Sequence, residues 1–219
     1  MKLLATALTV IALAGCAQRA PAPRPLRTSG FLDDYTVLRE GGPGEVRHVY
    51  RNPDANWARY SKVLLEPVTL WRSGRKSLEP VPKEDMLRLV EDFQGAVRAR
   101  LGQDFRFVER PGPGVLRVRL AITDADASDP VLDVLSAPRG TGRPHPAGAG
   151  PLDAETRRFL ESAVIEGEIR DAKSHVLLAA GVESRRSGAS PFRTWAEVDQ
   201  AFAFWADRLS TRLEASGAR

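Results

Sequence analysis

Three stretches of the chain repeat their apolar positions with a definite period. From Pro82 to Leu101, the residues Met86, Leu89, Val90, Phe93, Val97 and Leu101 fall at helical spacing, with Glu84 and Asp85 in the first turn and Gly102 just past the last. This predicts a helix. Thr194-Trp195-Ala196-Glu197 has the Ser/Thr-x-x-Glu form of a capping box and opens a second helix, whose Val198, Phe202, Trp205, Leu209 and Leu213 form one stripe. Between the two, Leu116, Val118, Leu120 and Ile122 alternate with Arg117, Arg119, Ala121 and Thr123, the pattern of a strand with one face on a core and the other towards solvent.

Shorter signals fill in the order. Lys62 to Trp71 is an apolar run interrupted by Pro67, which predicts a strand with a bulge or an edge position at the proline. Phe105 to Glu109 reads as a short strand, ended by the turn Pro111-Gly112-Pro113-Gly114. Ala163 to Arg170 and Val176 to Glu183 read as a hairpin around Asp171–His175, whose loop lacks the usual glycine. The sum is a single domain over residues 29–219 of α/β class and α+β type. It has a four- to five-stranded, mostly antiparallel or mixed sheet with two helices packed on one face.

The amino terminus has a different pattern. Lys2 precedes Leu3 to Leu13, which holds only apolar residues besides Thr6 and Thr9. That run is too short for a bilayer core, which needs about 20 apolar residues, and fits a signal peptide over residues 1–15. Leu13, Ala14 and Gly15 then lead into Cys16, the only cysteine, in the form of a lipobox. Acylation of Cys16 would hold the mature chain on a membrane, each buried methylene contributing roughly 0.8 kcal/mol. Ala17 stands where a retention aspartate would keep a lipoprotein in the inner membrane, so the expected location is the periplasmic face of the outer membrane. Residues 16–28 are Pro-rich and basic, an extended tether at roughly 3 Å per residue. With one cysteine, no intramolecular disulfide forms.

Beyond the tether, Ser29-Gly30-Phe31-Leu32 and Asp34-Tyr35 with Leu38, then Tyr50, Pro53, Trp57 and Tyr60, make an aromatic-rich arm expected to be pinned across the domain. Together with Tyr50-Arg51-Asn52-Pro53, Tyr60-Ser61-Lys62-Val63, Pro67-Val68, Arg170-Asp171-Ala172 and Phe204-Trp205-Ala206, this start resembles a "domain of unknown function" family of bacterial lipoproteins. The resemblance spans nearly all of the mature chain and implies an envelope lipoprotein; it carries over no catalytic residue. The stretch from Ala137 to Gly150 departs from it, with Gly and Pro in place of a second Gly-Val-rich segment.

Composition narrows the class. With 42% hydrophobic and 27% charged residues the chain has the makings of a folded core. The net charge of +4 is dispersed among alternating signs, and arginine supplies most of the basic residues. That distribution is not a nucleic-acid footprint.

Candidate chemistry is sparse, and no cofactor is implied. His48, His145 and His175 fall in three separate predicted loops or turns without a shared metal spacing. Asp124-Ala125-Asp126-Ala127-Ser128 begins like a calcium loop, but Asp129, Pro130 and Leu135 occupy the glycine, the following position and the closing glutamate. The adjacent Asp33 and Asp34 are expected to point apart. The segment from Asp129 to Pro151 reads either as a mobile partner-binding loop or as an insertion that has lost a strand. The leading expectation is a non-enzymatic binding or accessory module of the cell envelope with a periplasmic protein or envelope partner. The alternatives are a hydrolase with a dispersed site near Asp124, Asp126 and His145, or a transport auxiliary carrying a lipid between helix and sheet.

Overall fold

The computed structural model describes residues 26, 28–72, 81–124, 133–137, 150–184 and 190–218. In chain order the elements are β1 (Arg39–Glu40), β2 (His48–Arg51), β3 (Lys62–Leu65), β4 (Thr69–Arg72), α1 (Lys83–Leu101), β5 (Arg106–Phe107), β6 (Val115–Asp124), β7 (Asp133–Ser136), α2 (Ala154–Ser162), β8 (Ala163–Asp171), β9 (Leu177–Ser184) and α3 (Trp195–Ala215). They form one mixed sheet with the strand order β1-β2-β9-β8-β6-β3-β5, extended where β4 pairs with β6 and β7.

The long strand β6 organises this sheet. Along one edge β8 runs antiparallel to it from Leu116↔Asp171 to Asp124↔Ala163. Along the other edge lie β3 and β4 in succession, both parallel, at Val115–Val118 and at Ala121–Thr123. Pro67 separates them. Having no N–H to give the ladder, it turns the predicted Lys62–Trp71 strand into two segments on the same edge. Because these strands run parallel to β6, the chain must return between them, and α1 makes that crossover.

The helices cover the face bearing Leu116, Val118, Leu120 and Ile122. Phe93 of α1 and Phe202 of α3 stack at 4.9 Å between ring centroids, and both belong to the main core with Val97, Leu101 and Leu213. The predicted capping box of α3 forms: Thr194 Oγ1 accepts from Glu197 N, and the Glu197 carboxylate accepts from the Thr194 amide.

The predicted count of four to five strands and two helices falls short of the nine strands and three helices described. The additional strands are two to four residues long, below the length at which alternation can be recognised. Helix α2 abuts β8 without an intervening loop, so its buried Thr156, Phe159 and Leu160 merge with the strand pattern after them. The stretch from Asp129 to Pro151 contains β7, paired antiparallel with β4, and ends in a bridge from Pro151 to Thr194. It is therefore not devoid of structure.

The second face of the sheet was expected to meet solvent, and instead the N-terminal arm covers it. Phe31 and Leu32 are buried against Ala121, Val164, Ala180 and Val182. The Phe31 ring meets Trp71 edge-on at 5.6 Å, while Trp71 Nε1 donates to the Ser29 carbonyl at 3.0 Å. Charges on this face are paired with one another. Arg117 bonds Glu66, Arg119 bonds the buried Glu168, and Arg170 bridges Glu168 at 2.9 Å and Asp33 at 2.8 Å. Burial opposes ionisation of Glu168, but the Arg170 and Arg119 guanidiniums outweigh it and hold its pKa below the ordinary value. Glu166 lacks such a cation. It accepts from Tyr35 Oη at 2.5 Å and Thr123 Oγ1 at 2.8 Å, and burial raises its pKa.

The hairpin without glycine is shaped by Asp171. Its Oδ1 accepts from Lys173 N at 2.9 Å and Ser174 N at 2.8 Å, and His175 takes the left-handed conformation with φ 62°. Its Oδ2 accepts from Tyr60 Oη at 2.8 Å and from Arg59. Burial opposes ionisation, yet these donors hold the carboxyl well below the usual range. A depressed folded-state pKa contributes stability that is present above about pH 4 and lost as pH falls below it. Asp171→Ala is expected to cost about 3 kcal/mol, and Asp171→Asn to flatten the acid limb of stability, both read by urea denaturation across a pH series.

Candidate functional site

The feature that stands out on the helix side is a pocket over two glycines of the sheet. Gly167 of β8 and Gly181 of β9 lie directly opposite each other in register, and both positions face the helices. Neither offers a side chain to fill the layer. The neighbouring Ala179 adds only a methyl, and all three positions line the pocket together with Trp205 and Leu209 of α3. A cavity of about 340 Å³ remains between floor and helix.

Its walls are mostly carbon. Leu120 and Ile165 flank the floor, Phe93 closes the α1 side, and Trp205 and Leu209 of α3 form the roof. Trp205 and Leu209 were expected on the buried stripe of α3, yet they are only half-buried; they look into the cavity while Val198, Phe202 and Leu213 take the core. Close packing around the floor explains the glycines. A Cβ at Gly167 would lie 2.7 Å from Leu120 Cδ2, and one at Gly181 would lie 3.0 Å from Val46 Cγ2.

The rim is formed by the β1–β2 loop and the C-terminal half of α3. Gly41 closes the loop, since a Cβ there would lie 1.9 Å from the Val46 carbonyl oxygen, and Gly44 adopts φ +81°. Arg208 and Arg212, one helical turn apart, both donate to the Gly44 carbonyl, at 2.8 and 2.9 Å. Glu45 is committed elsewhere: Arg39 grips it with two hydrogen bonds at 2.8 and 3.0 Å, and with Gly42 N holds its pKa down to about 2. Glu183 accepts from Arg47 N at 3.1 Å, and burial raises its pKa. Deeper in, Trp57 is buried, and its indole N–H has no partner among the described residues.

The residues singled out beforehand lie elsewhere. Leu13, Ala14, Gly15 and Cys16 lie outside the described residues, as do Asp126, His145 and most of the calcium-like segment. Asp124 ends β6. Asp33 and Asp34 do diverge, one to Arg170 and the other to the Thr36 amide and hydroxyl. His48 lies in β2 rather than in a loop, and His175 in the β8–β9 turn. Among the described residues no group of three His, Cys, Asp or Glu is placed to hold a metal ion, and no helix is long and apolar enough to cross a membrane.

Sequence reasoning passed over Gly167, Gly181 and the Arg208/Arg212 pair. A signal was present in each: isolated glycines inside two alternating strands mark a close approach or an absence of packing, and the two arginines sit four residues apart beside Trp205 and Leu209 on one side of α3.

Residues 27–209 match the family described as "Protein of unknown function (DUF3313)". The chain belongs to that family. No curated protein matches this DUF3313 chain. Among solved structures it is similar to a point variant of the PelC dodecamer from Paraburkholderia phytofirmans in space group C2, at 12% identity and a TM-score of 0.31, covering 74% of this chain and 95% of that one. The PelC dodecamer of the same organism in space group P6 is also similar, at 12% identity and a TM-score of 0.31, over 73% and 96% of the two chains.

Two substitutions separate the roles of floor and void in the DUF3313 domain. Gly167→Val drives a side chain into Leu120 and is expected to cost about 1–3 kcal/mol. Ala179→Leu, which grows into free volume, is expected to leave stability within about 1 kcal/mol of wild type or raise it. Thermal unfolding of the two variants measures both.

Proposed function

We propose that this DUF3313 protein is a lipid-anchored binding module of the cell envelope, and that its domain holds an apolar chain of lipid type in the cavity between α3 and the sheet. The observation that carries the reading is the cavity itself: about 340 Å³, at the lower end of the ~300–1,000 Å³ range of small-molecule sites, with apolar walls and few polar groups. An open apolar volume of this kind favours hydrocarbon over water, at roughly 25 cal/mol per Å² of apolar surface removed from solvent.

The anchor supports the same setting. Cys16 behind Leu13-Ala14-Gly15 is the acylation site, and Ala17 directs the processed chain to the periplasmic face of the outer membrane. Leu26 and the arm after it pack on the sheet face opposite the cavity, so the arm does not compete with a ligand or a periplasmic partner on the helix side. Of the hydrolytic alternative's residues only Asp124 is described, at the end of β6; Asp126 and His145 lie outside the described residues.

Two measurements check these statements. Metabolic labelling with a fatty acid should tag the wild-type chain and leave Cys16→Ser unlabelled; equal labelling of both removes the anchor. For the cavity, the full chain carrying Cys16→Ser is titrated with 11-bromoundecanol, whose bromine quenches nearby indoles. Saturable quenching is expected, because Trp57 and Trp205 line the site, and Ala179→Phe should weaken it by about tenfold or more by filling the floor. Quenching that does not saturate, or that is the same in Ala179→Phe, contradicts the reading.

A further inference from the structure

We infer that the occupant is an anionic amphiphile, whose tail lies over the Gly167/Gly181 floor and whose carboxylate or phosphate head is clamped by Arg208 and Arg212. This deepens the cavity reading and rests on it.

The argument begins with what the two arginines bind at present. Each guanidinium is built to meet an anion with several donors, yet here both converge on one neutral acceptor, the Gly44 carbonyl oxygen, while Arg208 also lies over the Phe204 and Trp205 rings at 5.4 and 5.7 Å. Neither forms an ion pair within 4 Å with a carboxylate among the described residues. The nearby acids do not serve instead. Glu45 is already neutralised by the two-pronged contact with Arg39. Glu183 is half-buried and receives its hydrogen bond from the Arg47 amide; burial raises its pKa while the charges of Arg208 and Arg212 pull it down, so this one carboxyl offsets part of their charge without meeting either within 4 Å. Among the described residues the two guanidiniums therefore face the single carboxyl of Glu183, and one positive charge beside the apolar pocket has no counterpart.

The arginines are also held together at some cost. Burial, and then the like charge of Arg208, lower the Arg212 pKa below its ordinary value, although a guanidinium remains a cation under any physiological condition. Two partly desolvated cations sharing one carbonyl gain most from an acceptor that carries charge and more than one oxygen. A head group at the rim supplies both. It would displace the Gly44 carbonyl as the shared acceptor, and the β1–β2 loop, set by Gly41 and Gly44, is the element that would yield as the tail enters. The spacing of one helical turn between Arg208 and Arg212 lets both reach the same head while Trp205 and Leu209, on the adjoining side of α3, contact the first carbons of the tail.

The test uses the full chain with Cys16→Ser and three probes that share a twelve-carbon tail: dodecanoate, dodecyl phosphate and dodecanol, each competed against bound 11-bromoundecanol. Both anions are expected to bind about tenfold or more tighter than the alcohol, with the advantage shrinking as salt is raised. Preference between dodecanoate and dodecyl phosphate distinguishes a free fatty acid from a phosphate-bearing lipid as the source of the head. In Arg208→Gln with Arg212→Gln the anionic advantage should vanish while dodecanol affinity stays within about twofold of wild type. That retained alcohol binding shows that the variant is folded and its cavity intact. Equal affinity of all three probes for the wild-type chain overturns the anionic clamp and leaves the cavity reading standing. Failure of all three, together with 11-bromoundecanol itself, overturns both.

Discussion

The architecture turns on a shortage of side chains at the centre of one sheet face. Where β8 and β9 run side by side beneath α3, the paired positions are Gly167 and Gly181, and neither has a side chain to reach the helix layer. Leu120 and Val46 stand against the glycines, and the Phe93–Phe202 stack joins α1 to α3 beside the pocket.

The opposite face is covered as well. The arm places Phe31 and Leu32 over Ala121, Val164, Ala180 and Val182, so β6, β8 and β9 are buried on both sides. That arrangement requires the charges on the outer face to be satisfied locally. Glu168 achieves this between Arg119 and Arg170, Glu166 through Tyr35 and Thr123, and Asp171 through Tyr60, Arg59 and two turn amides. Removing one member of such a network leaves its partner buried and unpaired, which is why these groups act together with the arm and not as surface decoration.

What could be read in advance follows from length and chemistry. The helices over Lys83–Leu101 and Trp195–Ala215, the strand Val115–Asp124 and the β8–β9 hairpin each span enough residues for a period to show, and Pro67 marked its break correctly. The two-residue strands and α2 did not announce themselves, the first for want of length and the second because it runs straight into β8. Arg117 and Arg119 were misread as facing solvent, since alternation cannot distinguish a charge facing water from one facing an opposite charge, here Glu66 and Glu168, under a covering segment. The cavity was least legible of all. Hydrophobic patterning records the side chains that are present, whereas Gly167, Gly181 and Ala179 matter for what they lack, and the rim arginines looked like ordinary helix surface. The lipobox at Leu13–Cys16 and the hydrolytic candidates Asp126 and His145 lie outside the described residues.

The most direct test of an accessible apolar space beneath α3 is an intermolecular nuclear Overhauser measurement on methyl-labelled protein with a dodecyl-chain ligand. Cross-peaks from the alkyl chain to the methyls of Ile165, Leu209 and Val46 are the expected result, for these groups line the cavity. Cross-peaks confined to the exposed methyls of Val37 and Val176, with none to Ile165 or Leu209, would contradict it.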